Sequence, residues 1–273
     1  MLRMESPTGW WLITHPDHAR LAGEFANAWG NAQFRKPEPR ARVLKGIACH
    51  DDGWAARDAH PSITREGKPS AFSTELVGSY SAFEEIDLEE YLAVRERAVR
   101  VIANEDPYAG LLISMHTYSL LTAHADRSTI AAEGLLLLDA FLDHQGKFQG
   151  ELKSAIFADA GLTAFAKDEH TILEHFMLLQ ACDNLSLLTC VSFASPANLL
   201  HPLPLVGGGA TEVDVTPHGE RHFSLAPWPF AEAKLEFTFP ARHVTGKTFA
   251  SSSELESAFV ESREERLAVI LTE

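Results

Sequence analysis

Hydrophobic residues recur at helical spacing over roughly the first two hundred residues, and capping and turn-forming residues divide this pattern into separate helices. The pattern predicts helices over residues 14–30, 41–51, 88–105, 107–123, 128–144, 151–161 and 167–193. Residues 53–73 are rich in Pro, Gly and Asp and predict a long loop directly after the second helix. A loop of this length inside a compact domain is more often functional than idle, so it is a candidate part of a site.

The pattern changes after Pro196. Prolines and a triple glycine predict a linker, and the alternation beyond it predicts short strands. These strands are expected near residues 212–215, 234–239 and 267–271, with a short helix over 253–260. We therefore expect a mainly α protein, α+β overall, in which residues 1–200 form a helical bundle. Residues 201–273 are expected to form a small β-rich subdomain whose antiparallel sheet packs on the bundle.

Four polar side chains fall on helical stripes that are otherwise apolar. His18 is in line with three apolar residues of the first helix, while His50 and Asp51 end two inward stripes of the second. Asp183 lies in the middle of an apolar stripe of the last long helix, where burying its charge without a partner is costly. His116 follows apolar residues of a further helix and is a candidate for an additional ligand or for a contact to a substrate oxygen.

Imidazole and carboxylate groups that meet in a helical core are typical of a site for a divalent metal ion. The predicted ligands are His18, His50, Asp51 and Asp183, and the ion would be Zn, Mn, Fe, Ni or Mg, with positions left for water and substrate. Each residue alone also fits a structural role, either as a histidine satisfied by hydrogen bonds or as an aspartate paired with Arg or Lys. Their joint position on inward stripes favours the metal site over these separate roles.

The chain carries 23 Lys and Arg against 38 Asp and Glu, which gives a formal net charge of −15. Such a field repels nucleic acid and anionic membrane surfaces, so neither is an expected partner. A small phosphorylated molecule can bind only where local cations reverse this field, and a metal ion would do so. The N-terminal segment lacks the apolar run of a signal peptide, so we expect a cytoplasmic protein. The sequence leaves homo-oligomerisation open.

The segments Leu12–Gly23, Ala48–Trp54, Asp106–His116 and Leu179–Ser186 present histidine, then His-Asp, then histidine, then aspartate. This order resembles that of the HD-domain superfamily of metal-dependent phosphohydrolases. More narrowly, the segments resemble those of an uncharacterised bacterial family of unknown function with HD-like features. The resemblance covers most of residues 10–195. It implies an HD-like helical bundle, a metal ion held by the four ligands named above, and a water molecule activated for attack on a phosphoester.

The implied function is hydrolysis of a small phosphoester or nucleotide. Asp51 would orient the water, and His116 would stabilise or protonate the leaving group. Trp54, Arg57 and Lys68, in or beside the predicted loop, are the candidates for contacting an anionic substrate. No further acidic pair or basic cluster of the kind that nucleotidase members use stands out in the sequence. The alternatives are therefore a metal-binding or ligand-sensing protein without turnover, and a structural protein with a metal-free buried polar network.

Three further residues flank the predicted ligands. His15 comes shortly before His18, and Asp52 and Asp58 follow the His-Asp pair. The functional alternatives are that His15 contacts the ligands or competes as a ligand, and that Asp52 or Asp58 acts as a general base or orients water. A histidine at a helix N-terminus and acids in a loop are more often solvated than buried, so we expect all three near solvent.

Overall fold

The structure is a computed structural model and describes residues 1–77 and 87–273. The α-helices of this part are α1 (His15–Ala28), α2 (Arg40–Ala48), α3 (Ala55–Asp58), α4 (Leu88–Glu105), α5 (Pro107–Ser119), α6 (Ala132–Ala158), α7 (Ala164–Lys167), α8 (Glu169–Cys190) and α9 (Ser252–Glu261). A 3-10 turn covers Asp52–Trp54, and a π-helical turn, Leu120–His124, follows α5. Thr14, Asp106 and Asp168 cap the first turns of α1, α5 and α8 with their side chains, so these helices begin where the sequence dictates.

The strands form one large sheet and one small one. They are β1 (Leu2–Ser6), β2 (Gly9–Ile13), β3 (Ala197–Asn198), β4 (Leu203–Pro204), β5 (Ala210–Thr211), β6 (Asp214–Gly219), β7 (His222–Ala226), β8 (Lys234–Thr245) and β9 (Glu264–Thr272). The large sheet has seven strands in the order β1-β2-β8-β9-β7-β6-β3, and β4 and β5 pair separately. Neighbouring strands in the large sheet are antiparallel except β7 and β9, which are parallel.

The prediction of a mainly α protein with a small C-terminal antiparallel sheet is wrong. The large sheet has seven strands, contains a parallel pair and includes the N-terminal hairpin β1–β2, so the fold is α+β with a large sheet. Local signals for the hairpin are present, since Trp10, Trp11 and Ile13 favour β-structure and Pro7 lies at its turn. Its place in the sheet is a non-local pairing, in which Trp10 lies opposite Val244 of β8. No local pattern specifies such a partner.

The hydrophobic core runs through both predicted parts of the chain. Phe25 of α1 packs edge to face on Phe237 of β8, with 4.9 Å between the ring centroids. Trp29 packs in the same way on Phe230 at 5.6 Å. One cluster of buried apolar side chains has members in α1, α2, α5, α8 and the central strands. The helical layer and the sheet therefore share one core, and the division into residues 1–200 and 201–273 stays a prediction.

Helix α6 is a single helix of 27 residues where the sequence predicts two. Gly146 and Gly150 lower the helix propensity between the predicted helices, and both face open space. Leu142, Gln145 and Leu152 on either side of them are buried, so their packing outweighs the cost of two glycines. In spite of this length, none of the helices that the structure describes is both long and apolar enough to cross a membrane.

Close helix contacts bring the polar stripes together. A Cβ atom on Gly23 of α1 would lie 2.6 Å from the Cβ atom of Ala48, at the end of α2. A Cβ atom on Gly110 of α5 would lie 2.4 Å from the Cβ atom of Ala103 in α4. Only glycine allows approaches this close. The α1–α2 contact fixes the end of α2 and with it the position of the residues that follow Ala48.

We predict that Gly110→Ala lowers the free energy of unfolding by about 1–3 kcal/mol, because the added methyl group overpacks α4. Gly146→Ala is the matched control in the exposed part of α6, where no atom lies within 4 Å. It should leave the free energy of unfolding unchanged or raise it by up to about 1 kcal/mol, because alanine is the better helix former. Urea denaturation measures both values. Equal effects of the two substitutions would contradict the close packing of α4 and α5.

Candidate metal centre

Five polar side chains meet in the interior of the helical layer. His18 lies in the first turn of α1, His116 near the end of α5 and Asp183 in the middle of α8, while His50 and Asp51 closely follow the end of α2. All five are at most 5 % exposed. Polar atoms at that depth need partners, so their mutual geometry decides what the cluster can do.

The possible ligand atoms form two overlapping groups of three. One nitrogen or oxygen atom from each of His18, His50 and Asp51 lies within 4.8 Å of the other two, and the same holds for His50, His116 and Asp183. His18 Nδ1 is also 3.7 Å from Asp183 Oδ1. The structure thus brings the four predicted ligands together as two groups that share His50, and it adds His116 to the second group.

Both ring nitrogens of His18 have a polar neighbour. Ser186 Oγ lies 2.8 Å from the backbone oxygen of Asp183 and 2.9 Å from His18 Nδ1, and when the hydroxyl donates to Asp183 it accepts from Nδ1. In the neutral ring the lone pair is then on Nε2, which lies 3.1 Å from Asp51 Oδ2. Two acceptors at this distance repel each other unless a proton or another cation lies between them.

His50 repeats this arrangement. Its Nδ1 lies 2.7 Å from the backbone oxygen of Ile47, which can only accept, so Nδ1 carries the proton. Nε2 lies 3.2 Å from Asp183 Oδ1 and 3.9 Å from Asp51 Oδ2, and makes no hydrogen bond of normal geometry within the described residues. Both histidines therefore direct Nε2 at carboxylates while Nδ1 is held by a protein acceptor. Histidines that bind metal ions are oriented in this way.

Arg95 is a member of the cluster that the sequence analysis missed. Its Nη1 donates to Asp51 Oδ1 at 2.5 Å, and its Nε donates to the Tyr91 hydroxyl at 3.1 Å. The guanidinium group lies 5.3 Å from the ring centroid of Trp54 and 5.2 Å from that of Tyr91. Because Arg95 binds Oδ1 of Asp51, Oδ2 remains directed at His18 and His50. The sequence feature that could have indicated it is its position four residues from both Tyr91 and Val99, on the buried face of α4.

The charges in the cluster shift one another's titration. Burial lowers the pKa of His50, but the Asp51 and Asp183 carboxylates outweigh it and raise the pKa to about 9. Burial raises the pKa of Asp183, but His50 outweighs it and the pKa falls to about 2. The pKa of Asp51 is well below its ordinary value, because Arg95 and His50 together outweigh burial. Without a metal ion, Arg95 and a protonated His50 balance the two carboxylates.

The cluster can hold a metal ion. Its donor atoms are imidazole nitrogens and carboxylate oxygens, which are the ligand types of zinc and of other divalent first-row ions. His116 is available as a neutral imidazole, because burial lowers its pKa to about 3. Among the described residues, His116 Nδ1 has no hydrogen-bond partner although it is buried.

A cavity of about 780 Å³ opens beside the cluster. Its lining includes four members of the cluster, namely His18, Asp51, His116 and Asp183, and all three predicted substrate-binding residues, Trp54, Arg57 and Lys68. Trp54 is only 2 % exposed, because His15 stacks on its ring at 4.5 Å and Arg57 lies 5.7 Å from its centroid. It therefore supports the wall more than it projects into the space. The role of these residues in binding a substrate stays a prediction.

The cavity collects positive charge in an acidic protein. Five cationic side chains line it, namely Arg3, Arg57, Arg65, Lys68 and Arg95, against four carboxylates, namely Asp51, Glu66, Glu75 and Asp183. The sequence analysis found no basic cluster, because Arg3 of β1 and Arg95 of α4 come from separate segments. The local balance contrasts with the net charge of −15 on the whole chain. The cationic side chains of the cavity therefore offset the repulsion that the acidic protein as a whole exerts on a small anion.

The prediction that Asp58 lies near solvent is wrong. Asp58 is 3 % exposed and accepts from the backbone nitrogen atoms of His15, at 2.5 Å, and Met1, at 2.9 Å. A carboxylate at the first turn of α1 is stabilised by the free N–H groups there. His15 is half-buried beside it, with Nδ1 3.0 Å from Asp58 Oδ2. Asp52 is partly exposed and pairs with Arg20 at 2.8 Å.

We predict that the purified protein contains about one to two equivalents of a divalent transition-metal ion per chain. Asp183→Asn should lower this content by about tenfold or more, because it removes a ligand charge while keeping the shape of the side chain. Asp52→Asn, which removes a partly exposed charge outside the cluster, is the control and should retain the ion. Elemental analysis after dialysis measures all three. Equal contents in the two variants, or no metal in any of them, would contradict this interpretation of the cluster.

Residues 1–246 match the family described as "Protein of unknown function (DUF3891)". This range contains the five polar residues of the cluster, Arg95 and the residues that line the cavity. Comparison with curated proteins and with solved structures finds no match. Since the match covers most of the chain and the whole candidate site, the chain belongs to the DUF3891 family.

Proposed function

We propose that the protein is a metal-dependent phosphohydrolase that acts on a small phosphoester or nucleotide. The observation that carries the proposal is the convergence of two histidine Nε2 atoms, from His18 and His50, on the carboxylates of Asp51 and Asp183 beside a cavity with five cationic side chains. The order of these residues along the chain, which resembles that of HD-type phosphohydrolases, supports the choice of reaction.

A metal ion accounts for the cluster more completely than protons do. Protonation of His50 relieves its close contact to Asp183, but the 3.1 Å contact between His18 Nε2 and Asp51 Oδ2 is relieved separately, by the tautomer of His18 that carries its hydrogen on Nε2. One divalent ion with neutral imidazoles relieves both contacts at once. Together with Arg95, the ion also gives the cluster one positive charge more than the two carboxylates neutralise. The excess positive charge is available to an anionic substrate.

When bound, the ion would polarise a phosphoryl oxygen and lower the pKa of a water molecule toward neutrality. His18, His50, Asp51 and Asp183 would hold it. Arg95 occupies Oδ1 of Asp51 and so leaves Oδ2 directed at the histidines, where Asp51 can also orient the attacking water. Arg95 lines the cavity and adds a fixed positive charge where a phosphoryl group would lie.

His116 would act on the leaving group as a hydrogen-bond donor. Its Nε2 lies 3.8 Å from Asp183 Oδ2, and the residue lines the cavity. Because burial lowers its pKa to about 3, the ring is neutral at pH 7 and has one N–H to offer. A neutral donor of this kind stabilises a developing negative charge on oxygen without carrying a full proton to it.

The second candidate function is structural: the buried polar residues would form a network without a metal ion, and one observation favours this alternative. Arg95 and a protonated His50 already balance the charges of Asp51 and Asp183. In that case the residues would hold α4, α8 and the end of α2 together and would bind no ion. The metal analysis described above separates this rival from the phosphohydrolase, and an activity screen separates the phosphohydrolase from a metal-binding sensor without turnover.

We expect the metal-loaded protein to release phosphate from at least one member of a panel of nucleotides, sugar phosphates and 4-nitrophenyl phosphate, and EDTA to abolish the release. His116→Phe should lower kcat by about a hundredfold, because it keeps a ring at this position but removes the N–H that would donate to the leaving group. His170→Phe changes a histidine that is 78 % exposed and is the matched control, with kcat unchanged.

Two outcomes would count against this proposal. A protein that binds metal stoichiometrically but hydrolyses no phosphoester would be a metal-binding protein and not a phosphohydrolase. A loss of metal in His116→Phe equal to that in Asp183→Asn would show that His116 acts as a ligand and not on the leaving group.

A further inference from the structure

The cavity extends beyond the candidate metal centre to a cationic rim formed by Arg57, Arg65 and Lys68. We propose that the substrate carries a second anionic group, a phosphate or a carboxylate, which binds to this rim while its reacting phosphoryl group lies at the metal centre. The inference rests on the proposed function and specifies the substrate class of the same site.

Two of the three rim residues, Arg65 and Lys68, lie on a turn whose backbone is fixed by hydrogen bonds. Thr64 N donates to Lys68 O at 2.8 Å, and Gly67 N donates to Thr64 O at 2.9 Å, which closes the turn that carries Arg65. Gly67 has a φ of 77°, a value that favours glycine, and its backbone oxygen accepts from Phe249 N at 2.8 Å. The turn is therefore anchored to the segment before α9. Its fixed backbone therefore places Arg65 and Lys68 beside the cavity before any ligand binds.

Two guanidinium groups set an upper limit on the span of the ligand. The Cζ atoms of Arg57 and Arg95 lie 5.7 and 5.3 Å from the centroid of the same Trp54 ring, so they are at most about 11 Å apart, the sum of the two distances. Arg95 contacts Asp51 at the metal centre, whereas Arg57 belongs to the rim. At about 1.5 Å per bond, two anionic groups joined by a spacer of roughly three to six atoms fit within this limit.

The cations of the rim can exchange their present partners for a ligand. Lys68 lies 3.5 Å from Glu66, which is 75 % exposed, and Arg57 lies 3.7 Å from Glu90, which is 56 % exposed. Ion pairs this long and this exposed contribute little. Arg65 makes no ion pair with any residue in the described ranges. A ligand with only one anionic group, bound at the metal centre, would leave the Arg65 guanidinium without a partner. A second anionic group on the ligand would form an ion pair with it.

The space between the two charged ends is large enough for an organic spacer. The cavity volume of about 780 Å³ lies in the range of sites that enclose whole small molecules. Ile63, Phe72, Leu120 and Leu187 add apolar side chains to the wall of the cavity. A spacer with apolar surface can therefore bury it there while both ends stay paired with cations.

The test is isothermal titration calorimetry of the metal-loaded protein with phosphonates, which the proposed reaction cannot hydrolyse. The probes are alkane α,ω-bisphosphonates of three to six carbons, ω-carboxyalkyl phosphonates and alkyl monophosphonates of matched length. We expect the best bisphosphonate or carboxyalkyl phosphonate to bind at least about tenfold more tightly than its monophosphonate, because it gains a charge-assisted contact. The preferred two-anion series identifies the second group as phosphate or carboxylate.

The double variant Arg65→Ala/Lys68→Ala should reduce the ratio of two-anion to one-anion affinity to about twofold or less. Both positions tolerate truncation because neither side chain is buried. Glu66→Gln is the matched control in the same turn and should keep the ratio or raise it. Equal affinities for the one-anion and two-anion probes, binding of neither, or a ratio that survives the double variant would overturn the inference. Each of these results is independent of phosphate release, so it is distinct from a failure of the proposed reaction.

Discussion

The structure depends on burying two aspartate carboxylates, Asp51 and Asp183, in one polar cluster. An unpaired carboxylate in a protein interior costs several kcal/mol, so each needs cations and hydrogen-bond donors nearby. Arg95 satisfies one oxygen of Asp51, while His18 directs Nε2 at the other and His50 directs Nε2 at Oδ1 of Asp183. These partners come from α1, α4 and the end of α2, so those helices must approach α8 closely. The cluster therefore constrains the helical layer as well as the chemistry.

The edge strand β1 of the large sheet holds the loop that forms one wall of the cavity beside the cluster. Phe72 N donates to Met1 O at 2.9 Å and Arg3 N donates to Phe72 O at 2.7 Å, so the loop over residues 59–73 pairs with β1. That loop supplies Arg65 and Lys68 to the cavity. The wall that faces a substrate is thus built on the sheet, while the wall with the candidate ligands is built on helices. The site needs both layers of the α+β fold.

Local patterns in the sequence were sufficient to predict most of the long helices, although not the unbroken α6, and to single out the histidines and aspartates that the structure brings together. A histidine or aspartate on an apolar stripe is conspicuous, and Thr14 and Asp106 mark helix starts without reference to the rest of the fold. The position of β1–β2 beside β8 depends on a pairing between distant segments, which no local pattern encodes. Arg95 was missed because long basic side chains on a helix often reach solvent past apolar neighbours, and only its contact with Asp51 shows otherwise.

The central claim is that His18, His50 and their carboxylate neighbours bind a metal ion through Nε2. Anomalous X-ray diffraction from crystals of the zinc- or manganese-loaded protein tests it most directly, because it locates the ion and its ligand atoms together. We expect an anomalous peak about 2.0–2.2 Å from Nε2 of both His18 and His50, with the Nδ1 atoms still bonded to Ser186 and Ile47. Fully loaded crystals with no peak in the cluster, or with a peak bound through Nδ1, would contradict the account.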